Sequence, residues 1–118
     1  MVRALARVNL SAIERNAARL AQELTGGARL CAVVKADGYG HGAAAAGRAA
    51  LTGGATMLAV AAAGEAEQLR DEGIEAPLLV LGALSAAELP VALRARAELV
   101  AWDERFVDDL IEIGRAHV

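Results

Sequence analysis

A single lysine at the end of an apolar run is the residue best suited to covalent chemistry. Lys35 follows LCAVV (30–34), and the other 11 basic residues of the chain are arginines. A lysine that is approached through apolar residues is partly desolvated, which favours the uncharged amine. An uncharged amine attacks carbonyl groups and forms a Schiff base. Alternatively, Lys35 simply extends from the end of a strand into solvent.

A glycine-rich segment, Gly38-Tyr39-Gly40-His41-Gly42, follows Lys35 almost at once. Glycines let the backbone come close to a ligand, because they have no side chain. The helix expected after this segment would present free N–H groups to an anion. The pattern therefore predicts a phosphate site near Lys35, although the same residues also suit a flexible turn with an incidental tyrosine and histidine.

The other polar residues offer less chemistry. Cys31 lies within the apolar run and is expected to be a small buried hydrophobic residue. Asp37 either braces the turn or faces water, and His41 is expected at the start of the next helix. Glu65 and Glu67 are expected in a solvated first helical turn. No carboxylate pair, Ser/His/Asp set or metal-ligand spacing stands out, so no metal site is predicted.

Short apolar runs along the chain indicate the strands that must position these residues. Each run has the length of a buried strand and is too short for a helix. Their unbroken apolar character is typical of parallel strands that are covered on both faces. The four runs are LCAVV (30–34), MLAV (57–60), PLLVLG (77–82) and ELVAW (98–102).

Helical patterns lie before and between these runs. They cover residues 11–24, 41–51, 65–72, 85–96 and 103–113. Ser11 and Ser85 each precede a glutamate by three residues, which predicts capping boxes. Asp103 is expected to cap the last helix, and Pro90 should kink or restart the one before it.

One helix followed by four strand–helix units predicts an α/β fold with a parallel sheet and right-handed crossovers. Two architectures fit this order. One is a complete small doubly wound domain, and the other is half of a (β/α)₈ barrel.

Composition excludes several classes of protein. With 118 residues, 56% of them hydrophobic, the chain is one domain or part of one and is not disordered. A net charge of −3 provides no electrostatic footprint for nucleic acid. One cysteine rules out an intramolecular disulfide. The longest uncharged stretch, 49–64, is too short to span a bilayer, and the N-terminus lacks a signal-peptide core. We therefore expect a cytoplasmic protein without membrane partners, with His117 in a mobile terminus.

The segment AVVKADGYGHG (32–42) resembles the pyridoxal-phosphate attachment motif of alanine racemases. Residues 7–20 (RVNLSAIERNAARL) and 57–83 are similar to further parts of that family. The resemblance implies the N-terminal half of a (β/α)₈ TIM-type barrel, truncated and without the family's C-terminal β-domain. It also implies that residues 1–10 form a strand that packs on the absent domain and that residues 11–118 form a partial cofactor-binding barrel.

The resemblance also implies roles for individual residues. Lys35 matches the lysine that binds pyridoxal 5′-phosphate covalently and acts as one of two catalytic bases. Tyr39 matches the tyrosine whose hydroxyl reaches the cofactor phosphate. Val33 and Leu81 match strand residues near the pyridine ring. No role follows for Asp37 or His41.

The implied reaction is the interconversion of L-alanine and D-alanine by a homodimer, which supplies D-alanine for peptidoglycan. The second base in the family is a tyrosine of the partner subunit's C-terminal domain, so this chain alone is expected to be inactive. A half barrel also leaves strand edges unpaired, which predicts association. The alternatives are a non-catalytic pyridoxal-phosphate-binding barrel protein, a racemase for another amino acid, or a structural α/β domain without a ligand.

Overall fold

The computed structural model describes residues 3–116, and within this range the chain alternates helices with short strands. The elements are α1 (Leu10–Gln22), β1 (Cys31–Val33), α2 (Lys35–Tyr39), α3 (Ala43–Gly53), β2 (Met57–Val60), α4 (Ala63–Asp71), β3 (Leu78–Val80), α5 (Leu89–Arg94), β4 (Glu98–Leu99) and α6 (Glu104–Ala116). The four predicted strands are confirmed. The element that sequence analysis missed is α2.

The four strands form one parallel sheet in the order β1-β2-β3-β4. Cys31 lies opposite Met57, and Leu79 lies opposite Glu98. A doubly wound sheet reverses its strand order at a switch point, whereas here spatial order follows chain order throughout. The fold is therefore half of a (β/α)₈ barrel rather than a small doubly wound domain.

Helices cover only one face of this sheet. Side chains of alternate strand residues pack there in a continuous core with α3 and α4. The fully buried members include Leu58, Val60, Leu78 and Val80. The opposite face, which we call the open face, carries Cys31, Val33, Met57, Ala59, Leu79 and Leu81. All of these are exposed or only partly buried except the small Ala59, which is 1% exposed. The prediction of strands covered on both faces is therefore wrong for the described residues.

The first helix begins one residue earlier than predicted. Asn9 is its cap, because the Asn9 side chain accepts a hydrogen bond from the backbone N–H of Ala12 at 3.1 Å. The predicted cap, Ser11, lies inside the helix. Residues 4–9 adopt no strand conformation in this structure. Their packing on another domain stays a prediction.

Pro90 restarts the fourth predicted helix, as expected. Helix α5 begins at Leu89 with Pro90 in its first turn, where a missing N–H costs nothing. The preceding residues form a separate turn in which the Ser85 N–H donates to the Glu88 carboxylate at 3.0 Å. This backbone hydrogen bond lowers the pKa of Glu88. In α6, the Asp103 carboxylate accepts a hydrogen bond from the Phe106 N–H at 2.7 Å, so the predicted cap is confirmed.

Arg70 ties α4 to the segments around it. Its Nε donates to the carbonyl of Ala95, and its Nη1 donates to the carbonyls of Ile74 and Ala76, each at 2.8 Å. Burial lowers the pKa of the guanidinium, and neighbouring Arg96 lowers it further. One side chain thus links the end of α4, the start of β3 and the end of α5.

Candidate active site

Lys35 stands at the carboxyl end of the sheet, where parallel α/β folds place their sites. It follows Val34, whose side chain is buried among the helices and whose N–H donates to the Ala59 carbonyl at 2.8 Å. Lys35 lies beyond β1, where the chain leaves the strand, and the two residues of β1 on the open face, Cys31 and Val33, precede it. Lys35 itself is partly buried.

The residues after Lys35 form a left-handed turn rather than a flexible loop. Within it the N–H of Gly38 donates to the carbonyl of Val34 at 2.8 Å. Outside glycine this conformation costs roughly 1–2 kcal/mol per residue, so its presence in three non-glycine residues marks stored strain. The residues with positive φ are Ala36 (53°), Asp37 (55°), Gly38 (65°) and Tyr39 (57°).

Asp37 braces this turn against α3. Its Oδ1 accepts a hydrogen bond from the backbone N–H of Ala43 at 3.0 Å, and its carbonyl accepts one from the N–H of Gly42 at 2.8 Å. The Asp37 carboxylate therefore accepts from the first N–H of α3, one of the groups expected to face a phosphate. The phosphate site stays a prediction.

His41 precedes α3 rather than lying within it. Its Nδ1 lies 3.0 Å from the carbonyl oxygen of Gly38, which fits a donated hydrogen bond. This contact closes the left-handed turn. The imidazole ring of His41 therefore lies in the loop before α3 and not in the first turn of the helix.

Glu65 joins the ends of β1 and β2. Its Oε2 accepts a hydrogen bond from the N–H of Ala36 at 2.8 Å. Its Oε1 accepts from the N–H groups of Ala61 at 2.8 Å and Ala62 at 3.0 Å. The prediction of a solvated glutamate is wrong here, since the carboxylate is fully engaged with backbone donors. The position of Glu65 as the third residue of α4 could have indicated its contacts with Ala61 and Ala62, because a glutamate there reaches back to the helix cap.

Glu67 behaves as predicted. It is exposed and forms a loose ion pair with Arg94 at 3.8 Å, with the two side chains 47% and 58% exposed. Such a pair contributes little to stability.

The other predicted cofactor contacts lie at the same edge of the sheet. Val33 is the last residue of β1 and Leu81 directly follows β3, and they are 39% and 36% exposed on the open face. Val33 is level with Leu79 through Ala59, so Leu81 lies one strand away and two residues further along, at about 12 Å. Tyr39 ends the left-handed turn with 58% of its surface exposed. Val33 and Leu81 therefore lie on one face near the carboxyl edge of the sheet, and Lys35 and Tyr39 follow Val33 along the chain at that edge.

A concavity of about 570 Å³ lies at the opposite, amino ends of the strands. Arg29, Cys31 and Glu98 line it, and none of them is near the end of β1 that leads to Lys35. Contrary to the prediction, Cys31 is exposed. Partial burial of the thiol within the concavity raises its pKa, and the Glu98 carboxylate raises it further. Both effects disfavour the thiolate, so this end is a poor nucleophilic centre.

Residues 8–118 match the family model described as the N-terminal domain of alanine racemase. The chain belongs to the alanine racemase family. It is 45% identical over 110 residues to the alanine racemase of Thermobifida fusca and 42% identical over 104 residues to that of Geobacillus stearothermophilus. These matches cover 93% and 88% of this chain but 29% and 27% of the relatives. The chain thus spans less than a third of their length.

Solved structures of alanine racemases share the fold. The enzyme from E. faecalis superposes with a TM-score of 0.83 at 35% identity, covering 88% of this chain and 28% of that one. The Bacillus anthracis alanine racemase, solved with bound L-Ala-P, gives a TM-score of 0.80 at 37% identity over 87% of this chain and 27% of its own. The half-barrel architecture is therefore the N-terminal part of the alanine racemase barrel.

The described residues contain neither a membrane-spanning helix nor a cluster of metal ligands. No helix between residues 3 and 116 has the length and apolar character to cross a bilayer. In the same range, His, Cys, Asp and Glu side chains form no group of three that could hold a metal ion.

Proposed function

We propose that this chain carries the cofactor lysine of a pyridoxal-phosphate-dependent alanine racemase, which interconverts L-alanine and D-alanine and supplies D-alanine for peptidoglycan. One observation carries the proposal. In a member of this family, the sole lysine follows the first strand of the half barrel and directly precedes a strained left-handed turn. Strain of this kind is retained mainly where function needs a defined backbone.

The residues present fit pyridoxal phosphate, which offers an aldehyde, an aromatic ring and a phosphate. Lys35 supplies an amine for the aldehyde. Val33 and Leu81 provide apolar surface for the ring, since both are exposed at the same edge of the open face. The exposed hydroxyl of Tyr39 can donate a hydrogen bond to the phosphate.

Lys35 is also the group that moves a proton. The cofactor, when bound, withdraws electrons from the substrate α-carbon. Lys35 then takes the α-proton from one face, or returns it there, as an amine positioned for general base catalysis. Racemisation needs a second base on the opposite face.

That second base is expected outside this chain. Tyr39 is its only tyrosine and is proposed to contact the phosphate. The partner subunit of a homodimer is expected to supply the second base from its C-terminal domain. We therefore expect no alanine turnover from the purified chain. Racemisation that disappears in Lys35→Ala would contradict this expectation. A cytoplasmic location stays a prediction.

Reductive trapping tests the proposal. The chain is incubated with pyridoxal phosphate, reduced with borohydride and digested, and the modified peptides are identified by mass spectrometry. The N-terminus is the only competing amine, because Lys35 is the sole lysine. We expect saturable labelling of Lys35 well above that of the urea-unfolded chain, with none at position 35 in Lys35→Ala. Equal labelling of folded and unfolded chain would refute the proposal.

A further inference from the structure

We propose that Glu65 is a positioning residue for Lys35, holding the peptide that follows the lysine in one place. The inference rests on the proposed function, because it concerns how readily Lys35 captures the cofactor. Glu65 touches no reacting group and acts through the backbone alone.

The two oxygens of Glu65 serve different segments. Oε1 accepts from the N–H groups of Ala61 and Ala62, which is local capping of α4. Oε2 accepts from Ala36, 29 residues away, at 2.8 Å. Capping of α4 does not require that second contact. The hydrogen bond from Ala36 to Oε2 instead holds the backbone that follows β1.

The hydrogen bond between Ala36 and Glu65 lies just beyond the last sheet hydrogen bond between β1 and β2. On the β1 side, the N–H of Val34 still donates to the Ala59 carbonyl at 2.8 Å. Two residues on, the N–H of Ala36 donates to Glu65 instead of to a strand. The carboxylate therefore extends the link between the two chain segments past the end of the ladder.

Lys35 lies between these two anchors. Val34 is 4% exposed and fixed by the ladder, and Ala36 is fixed by Glu65. With both neighbouring residues held, the freedom left to Lys35 is mainly that of its side-chain torsions, so its amine samples a smaller volume than it would on a mobile backbone. Confinement of this kind lowers the entropy lost on binding. Without Glu65, the strained turn that begins at Ala36 would lose its first anchor.

Glu65→Gln is the discriminating variant. Glutamine fills the same space but has one acceptor oxygen and one NH₂ group. In either orientation of the amide, an N–H must face a backbone N–H at one end of the bridge. Glu67→Gln is the matched control, because it removes the same charge from the same helix at an exposed side chain.

Amide exchange and reductive trapping are measured on the whole chain. We expect the Ala36 amide of Glu65→Gln to exchange about tenfold faster, as befits one lost hydrogen bond to a charged acceptor. The Leu58 amide, which donates to Pro77 within the sheet, should keep its rate. The pyridoxal-phosphate concentration for half-maximal labelling of Lys35 should rise several-fold. Glu67→Gln should match the wild-type chain in all three measurements.

A backbone variant keeps the proposal testable if Glu65→Gln fails to fold. Lactic acid in place of Ala36 turns that amide into an ester and removes only the N–H, leaving the cap on α4 intact. The same several-fold rise is expected. Unchanged half-maximal concentrations in both variants would overturn the positioning role and leave the proposed function standing. A wild-type chain that labels no better than unfolded chain would refute the proposed function, and the role of Glu65 with it.

Discussion

Gly82 lies directly against the carbonyl of Ala61, to which its own N–H donates at 3.1 Å. The contact holds the ends of β2 and β3 together at the edge of the sheet that carries Lys35. A Cβ built on Gly82 would overlap the Ala61 oxygen, so the approach requires glycine.

Gly82→Ala should therefore destabilise the chain by about 2 kcal/mol, the usual cost of forcing atoms into a packed site. Gly64→Ala is the matched control, since a Cβ there meets no atom within 4 Å. It should stabilise α4 by up to about 1 kcal/mol, because alanine is the better helix former. Urea unfolding measures both. Equal stability of the two variants would contradict the close approach.

Ala36→Gly should stabilise the fold by about 0.5–1 kcal/mol. Ala36 has φ of 53°, and glycine adopts this conformation without the steric penalty of alanine. Ala49→Gly, in the middle of α3, should destabilise by about 1 kcal/mol, because its backbone is right-handed. The same urea titration checks the pair, and a destabilising Ala36→Gly would argue against the left-handed turn.

Replacing Arg70 should cost far more than replacing Arg94. Arg70→Met leaves three partly buried carbonyls without their donor, at a cost of about 2–3 kcal/mol. Arg94→Met loses only an exposed ion pair and should change stability by less than about 0.5 kcal/mol. Thermal or urea unfolding decides between them. A loss below about 1 kcal/mol in Arg70→Met would show that water replaces the guanidinium at these carbonyls.

Much of this architecture can be predicted from the sequence. The apolar runs locate all four strands, because a strand buried on its helix face leaves a compact signal. Pro90 and Asp103 also mark their helix boundaries correctly, since each acts through a local rule. Lys35 is conspicuous as the sole lysine in an arginine-rich chain.

The missed features depend on contacts between distant residues or on competing local ones. No local rule predicts positive φ in Ala36, because alanine disfavours this conformation. Aspartate tolerates it, but nothing local to Asp37 requires it. The sequence indicates only that Glu65 is an ordinary glutamate in the first turn of a helix. Its contact with Ala36 forms because the pairing of β1 with β2 brings the two residues together. Asn9 and Ser11 are both good caps, and the sequence alone does not rank them.

Cys31 should react slowly with iodoacetamide at pH 8. Its raised pKa leaves less thiolate in the folded chain than in the unfolded chain. Glu98→Gln removes the smaller of the two causes, so the reaction should speed up yet stay slower than in urea. Glu23→Gln is the charge-matched control and should leave the rate unchanged. Equal rates for Glu98→Gln and wild type would contradict the influence of Glu98.

The raised pKa of Cys31 also makes the free energy of unfolding depend on pH. A raised thiol pKa means that the folded chain binds this proton more tightly than the unfolded chain does. The contribution is fully present below the unfolded pKa and is lost as pH rises through the folded value. Unfolding midpoints of the wild-type chain should therefore fall more between pH 7 and pH 10 than those of Cys31→Ala.

Because the strand order follows the chain order, this sheet needs no distant partner to begin folding. Each strand pairs with the strand made just before it, 19–26 residues earlier in the chain. The sheet can therefore grow one unit at a time while the ribosome is still extending the chain. During that interval the face bearing Val33 and Leu81 exposes apolar side chains, so the growing chain is open to association through this face.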